Sequence, residues 1–161
     1  MKIKSFTPLI AVFGTSFLIT ISLIKNFQVF MGISICLLAM LKLMDIEAFG
    51  KSFEKYDLIS SRLNSWVYIY PFCELLIGIS FLISSPPSLI IFIALILGIT
   101  GMSSVFKAVY LDKLKLNCAC IGGYAKTPLG IISFTENLLM SIMSVLTVSY
   151  THLTLPTMEL V

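Results

Sequence analysis

Five long apolar stretches dominate this chain and restrict it to folds in which helices lie side by side in a lipid bilayer. A helix needs about 20 largely apolar residues to cross the hydrocarbon core. Five segments approach that length, at about 6–24, 27–43, 65–83, 88–111 and 131–150. We therefore predict an all-α integral membrane helical bundle with about five transmembrane helices, formed by a single domain over residues 1–150.

The composition also indicates that the chain is surrounded by lipid. Of the 161 residues, 58% are hydrophobic and only 12% are charged, whereas a soluble domain carries roughly 25% charged residues. Because so much apolar surface cannot be buried in a core of this size, we expect the lipid bilayer to be a partner. The net charge of +3, without an arginine-rich stripe, gives no reason to expect nucleic acid.

Basic residues are distributed unevenly between the two sides of this layout. Ten of the eleven fall at the N-terminus or near the loops at 44–64 and 112–130, and only Lys25 falls on the other side. The ten are Lys2, Lys4, Lys42, Lys51, Lys55, Arg62, Lys107, Lys113, Lys115 and Lys126. Since basic loops stay in the cytoplasm, we predict a multi-pass protein of the bacterial inner membrane with a cytoplasmic N-terminus.

Both ends of the chain raise separate questions. Lys2 and Lys4 precede the first apolar segment, as in a signal peptide, but its apolar run is long and no small-residue cleavage site follows, so we expect a retained helix.

Residues 148–157 resemble a translated sequencing adapter. We therefore expect a non-native tail at 151–161, in which His152 has no function; the alternative is a genuine short external tail.

Two further patterns concern packing. Ile46, Phe49, Phe53 and Tyr56 recur at helical spacing between charged residues, which predicts a short amphipathic helix in the cytoplasmic interface, with its apolar face toward lipid. A face of small residues in the fourth segment predicts a close helix–helix seam. That face comprises Ala94, Gly98, Gly101 and Ala108.

Cys118 and Cys120 are the first candidates for chemistry. Two thiols separated by one residue can form a small, strained disulfide that exchanges readily, or bind a soft metal ion. Lysines at 113, 115 and 126 favour the reactive thiolate. The topology places this pair in a cytoplasmic loop. The alternative is two incidental loop cysteines, because a C-x-C spacing alone is a weak motif.

Two acidic residues lie in the apolar segments. Glu74 is near the middle of the third, where a carboxylate is costly and by default a functional candidate. The alternative is a structural anchor, bonded to Tyr70 or to a neighbouring helix. Glu136 follows Ser133 in a capping-box spacing. Alternatively, Lys107 could pair with Glu136, or its side chain could extend outward from the membrane.

Cys36 and Cys73 both fall near mid-membrane. If the second and third transmembrane helices touch, these two cysteines could form a second thiol pair. The alternative is that they are small buried apolar residues.

Several motifs in order resemble the MauE/DoxX-type redox-associated membrane proteins, over about residues 35–145. A C-A-C-x-G element matches Cys118 to Gly122, and a P-x-x-E pattern matches Pro71 and Glu74. An acidic pair matches Glu136 and residue 137, where this chain has Asn. The resemblance implies a small helical membrane protein linked to methylamine utilisation, to maturation of a disulfide-rich dehydrogenase, or to thiol or heavy-metal handling.

Three functions follow as hypotheses. The first is a redox module in which Cys118 and Cys120 cycle between dithiol and disulfide, Glu74 or Glu136 handles protons, and a quinone or a thioredoxin-like or maturation partner exchanges electrons. The second is handling of a soft ion such as Cu(I) or Hg(II) by the same cysteines. The third is a non-catalytic membrane scaffold for assembly.

Overall fold

The computed structural model describes residues 7–23, 27–83, 86–113 and 129–154, and every regular element within these ranges is a helix. The elements are α1 (Thr7–Leu23), α2 (Phe27–Met44), α3 (Ile46–Phe53), α4 (Trp66–Leu82), α5 (Ser88–Phe106), a π-helical turn (Lys107–Leu111) and α6 (Leu129–Thr154). The predicted all-α class is confirmed. The five long helices α1, α2, α4, α5 and α6 lie on the five apolar segments of the sequence.

By length and composition, two helical stretches in the described part of the chain are apolar enough to cross a bilayer, Phe27–Met44 and Ser88–Leu111. Two more apolar stretches are shorter, Ile10–Ile21 and Trp66–Leu82. Because α4 has 17 residues, at the lower limit of a span, its ends lie close to the edges of the hydrocarbon core if it crosses the bilayer.

The distribution of side chains identifies the solvent of this bundle. Large apolar side chains cover the outside of the long helices, among them Phe17, Phe72, Leu76, Leu89, Phe92, Ile99 and Leu146. The interior holds polar and charged side chains, among them Ser34, Lys42, Glu74, Ser104, Ser133, Glu136, Asn137 and Ser144. Water would favour the reverse arrangement. Apolar outside and polar inside define a membrane helical bundle.

Interior hydroxyls obtain their hydrogen bonds locally. Ser34 Oγ donates to the carbonyl of Phe30 at 2.8 Å, and Ser144 Oγ donates to that of Met140 at 2.9 Å. This bond to the residue one turn earlier satisfies a hydroxyl without a partner helix. These interior serines therefore cost little in lipid.

Small residues set the two main helix–helix seams. A Cβ on Gly78 of α4 would lie 2.7 Å from Cys36 Sγ of α2, and a Cβ on Gly98 of α5 would lie 2.2 Å from Ser141 Oγ of α6. Backbones at this separation leave no room for a side chain. The α5 seam uses the small face predicted from the sequence, and Gly101 of that face contacts the side chain of Asn137.

The short amphipathic helix forms where the sequence predicts it, but its apolar face has a different partner. Asp45 caps α3 by accepting from the backbone N–H of Ala48 at 3.2 Å. Phe49 and Phe53 are 1% and 4% exposed and pack against α4, so this face lies in the bundle and not against lipid headgroups. Gly50 allows this packing because it has no side chain. A Cβ at that residue would lie 2.8 Å from Val67 Cγ1 of α4.

The connection from α3 to α4 is anchored by one carboxylate. Asp57 Oδ2 accepts from the backbone N–H groups of Ile59 at 3.1 Å and Ser60 at 2.8 Å. Its Oδ1 accepts from Ser104 Oγ of α5 at 3.2 Å. The buried Asp57 therefore fixes this connection across one end of the bundle.

Helix α6 continues to Thr154, past the start of the predicted tail at 151. Residues 155–161 lie outside the described part of the chain, and the non-native origin of the tail stays a prediction.

Candidate functional site

Three charged side chains from three helices meet inside the bundle. Lys42 Nζ of α2 donates to Glu74 Oε2 of α4 at 2.5 Å and to Glu136 Oε1 of α6 at 2.8 Å. The side chains of Lys42 and Glu74 are each 2% exposed, and that of Glu136 is 6% exposed. We call these three residues the ion triad.

The register of the helices explains why the triad forms. Glu74 lies about 12 Å along α4 from its first residue, and Glu136 lies about 10 Å along α6 from its first residue. Lys42 is in the last turn of α2, which is antiparallel to α4. Its long side chain reaches back into the bundle to the level of the two carboxylates. Glu74 is at the midpoint of α4, whereas Lys42 and Glu136 lie nearer the ends of their helices on the side of the bundle that carries α3.

A second set of polar groups supports the triad. Tyr70, one turn before Glu74 on α4, lies beside that carboxylate, and its hydroxyl donates to Asn137 Oδ1 at 3.4 Å. Asn137 Nδ2 donates to the backbone carbonyl of Ser133 at 2.7 Å. Asn137 thus links α4 to α6 next to Glu136, and Gly101 of α5 leaves the space for its amide.

Aromatic rings cover the triad on the side of α3. The Phe53 ring centroid is 4.7 Å from that of Tyr70 and 4.8 Å from that of Phe49. Lys42 Nζ lies 5.4 Å from the Tyr70 centroid and 6.0 Å from the Phe49 centroid, within range of cation–π attraction. This cluster separates the buried ammonium from the nearer end of the bundle.

A cavity of about 10 Å³ adjoins the triad, which is near the lower limit for one water molecule. Its lining comprises Lys42, Phe49, Phe53, Tyr56, Asp57, Tyr70, Gly101, Val105, Ser133, Glu136 and Asn137. Glu136 Oε2 is buried and has no hydrogen-bond partner among the described residues. The second oxygen of this carboxylate is therefore available to a small ligand.

The two acidic residues singled out from the sequence are brought together. Glu74 has both partners considered for a structural anchor, Tyr70 and a neighbouring helix. For Glu136 the capping-box interpretation is wrong, and so is its pairing with Lys107. Helix α6 begins at Leu129, so Ser133 lies inside the helix and not at a cap. Lys42 pairs with Glu136, and Lys107 is exposed, in agreement with the alternative in which it extends outward.

The cysteines are treated differently by the structure. Cys118 and Cys120 lie outside the described residues, so their pairing, their metal binding and their distance from the triad stay predictions. Cys36 and Cys73 are free thiols on the facing helices α2 and α4. Within the described part of the chain, no three His, Cys, Asp or Glu side chains lie close enough to hold a metal ion.

Lys42 is the site residue that sequence reasoning missed. The distribution of basic residues assigns it to the loop at 44–64, yet it is buried. The sequence does contain a signal for its role. Two carboxylates in apolar helices require a buried cation, and Lys42 and Lys107 are the basic residues that fall inside predicted apolar segments. The amide of Asn137 was likewise noted only as a departure from an acidic pair.

Fold and site together define the class of the protein, a small helical membrane protein whose interior carries an ion triad. The family model described as methylamine utilisation protein MauE matches residues 9–150. The chain belongs to this family. The comparison with curated proteins found no match, and neither did the comparison with solved structures.

Proposed function

We propose that this chain is a membrane component of methylamine utilisation that assists maturation of a partner protein by thiol–disulfide exchange. Cys118 and Cys120 would exchange disulfides, and Glu74 and Glu136 would handle the accompanying protons. The observation that carries the proposal is the ion triad, because ionisable groups inside a membrane bundle are costly and mark functional sites. Membership of the MauE family supports the setting.

The exchange conserves atoms and electrons. A partner thiolate attacks the Cys118–Cys120 disulfide and forms a mixed disulfide, and a second partner thiolate then displaces the chain's cysteine. The partner gains a disulfide, while Cys118 and Cys120 gain two electrons and two protons. A membrane quinone, or the disulfide of a thioredoxin-like protein, takes up those electrons and protons in a second step.

The topology adds a requirement. Segment 114–128 leaves Lys113 and rejoins the helices at Leu129, at the end of the bundle that carries α3. We propose that this end faces the cytoplasm, on the distribution of basic residues. One dithiol there cannot pass electrons across about 30 Å of hydrocarbon. A partner across the membrane would therefore need a quinone as carrier, or Cys36 and Cys73 as a second pair.

Labelling from each side of the membrane tests topology and redox state together. An impermeant maleimide should modify Cys118 and Cys120 in inside-out vesicles, and only after reduction if they form a disulfide. The matched background is the Cys36→Ser/Cys73→Ser variant, which removes the two partly exposed thiols of α2 and α4. Modification in intact cells would reverse the proposed orientation.

The double variant Cys118→Ser/Cys120→Ser tests the exchange itself. In a host that requires a MauE-type protein, it should abolish growth on methylamine and leave the partner's cysteines reduced on non-reducing gels. Cys36→Ser/Cys73→Ser is the control for loss of two thiols. If the first variant still supports growth, the chain acts as an assembly scaffold; if it instead loses stoichiometric Cu(I) or Hg(II) binding, the cysteines handle metal.

A further inference from the structure

The charges of the ion triad do not balance. One ammonium, Lys42, faces two carboxylates, Glu74 and Glu136, all three of them buried. With every group ionised the site would carry a charge of −1 inside a medium of low dielectric constant. Among the described residues Lys42 is the one cation paired with these carboxylates. An unpaired buried charge is costly, so a further cation from solution is expected to complete the site.

The structure indicates where a further cation can bind. Lys42 and Tyr70 already contact the carboxylate of Glu74, whereas Glu136 uses only Oε1. Glu136 Oε2 is buried and adjacent to the cavity of about 10 Å³, and no described residue hydrogen-bonds to it. That volume admits one water molecule and nothing much larger.

We propose that the ion triad binds one exchangeable proton, shared by its two carboxylates, and that Glu136 Oε2 and the adjacent cavity bind one water molecule. The proton passes from hydronium to one carboxylate, which leaves a neutral carboxyl and a water, and the charge of the site changes from −1 to 0. This inference rests on the proposed function and deepens it, because it names the groups that take up protons.

The titratable groups that face Glu136 are the side chains with which it can exchange a proton. Titratable side chains at the cavity come from α2, α4 and the connection after α3, and they are Lys42, Tyr70, Tyr56 and Asp57, with Glu74 bonded to the same ammonium. Helix α5 contributes Gly101 and Val105, which do not titrate. Asp57 is held by Ile59, Ser60 and Ser104.

Infrared spectroscopy of the full chain in lipid nanodiscs tests the site, because a buried protonated carboxyl has its own C=O stretch, which shifts in deuterium oxide. Charge balance predicts one such group in the wild type at neutral pH. It predicts loss of the band in Glu136→Gln and equally in Glu74→Gln, since either change leaves one ammonium and one carboxylate. Lys42→Gln should double the band. Glu54→Gln, on an exposed residue, is the matched control and should retain it.

The outcomes separate this site from the thiol chemistry. Cys118→Ser/Cys120→Ser should retain the full band, so failure of the exchange leaves the proton site standing. A wild type without the band, or a band that persists in both Glu→Gln variants, would overturn the proposal. The spectra are recorded with potassium and with sodium as the only salt cation. A band that sodium removes would mean that a sodium ion, and not a proton, completes the triad.

Discussion

At the scale of single residues, Lys42 is the side chain on which the interior depends. It is the only cation within hydrogen-bonding distance of Glu74 and Glu136 among the described residues. A buried ion pair contributes little compared with an apolar replacement, but removing one partner leaves the other charge without compensation. The energetic role of Lys42 is therefore to allow two carboxylates to exist in lipid.

Lys42→Met should lower the free energy of unfolding by about 3–5 kcal/mol, because it leaves the buried carboxyl groups of Glu74 and Glu136 without their cation. Unfolding can be followed through the fluorescence of Trp66, whose ring lies 6.2 Å from that of Tyr70 beside the triad. Lys51→Met, on the exposed face of α3, is the control and should change stability little.

The triple variant Lys42→Met/Glu74→Gln/Glu136→Gln should recover most of the stability lost in Lys42→Met. All three positions keep their approximate volume and lose their charge, so the desolvation penalty disappears. The same Trp66 measurement applies. If the triple variant is no more stable than Lys42→Met, the loss reflects packing of the lysine stem and not uncompensated charge.

At the scale of helices, the close contacts between α2 and α4 and between α5 and α6 depend on glycines, which have no Cβ. A Cβ at Gly98 would meet Ser141 Oγ at 2.2 Å and the backbone oxygen of Asn137 at 2.9 Å. A backbone atom cannot move aside as the end of a flexible side chain can. The seam between α5 and α6 also carries Asn137 and Glu136, so the packing of these helices positions part of the site.

Gly98→Ala should destabilise the bundle by about 1–3 kcal/mol, as overpacking of a tight contact does. Gly14→Ala in α1 is the matched control. A Cβ there meets nothing within 4 Å, so the better helix propensity of alanine should leave stability unchanged or raise it by up to about 1 kcal/mol. Thermal unfolding of both variants in one detergent makes the comparison. Equal effects of the two changes would contradict the seam.

At the scale of the whole molecule, one face of each long helix is buried and another faces lipid, so neighbouring residues can differ sharply in exposure. Leu76 and Ile77 are neighbours on α4, yet Leu76 is 62% exposed and Ile77 is 2% exposed. Lipid tails can fill the space left by a truncated outward side chain, whereas nothing fills a cavity between helices.

Ile77→Ala should therefore cost about 2–5 kcal/mol of unfolding free energy. Leu76→Ala removes a side chain of the same size on the lipid face and should cost clearly less. Reversible unfolding in mixed micelles measures both. If Leu76→Ala were the more damaging of the two, the outer surface of α4 would be in contact with protein and not with lipid.

Sequence patterns predict the helices of this protein well and the contacts between side chains less well. Helices fall on all five apolar segments, and α3 falls on the amphipathic run. Glu74 was found because a carboxylate in an apolar segment is conspicuous. Lys42 was not, because a lysine near the end of a span looks the same whether it reaches outward to water or inward to a carboxylate. Only the antiparallel register of α2 and α4 distinguishes the two.

Hydrophobicity and residue spacing are local properties, and they alone determined the solvent of this protein, its helices and the need for its buried carboxylates to find a cation. Which side chains meet is not local. Cys36 against Gly78, Phe53 against Tyr70, and Lys42 between Glu74 and Glu136 each join residues far apart in the chain. Those contacts depend on how closely the glycine seams bring the helices together, and so only the tertiary structure decided them.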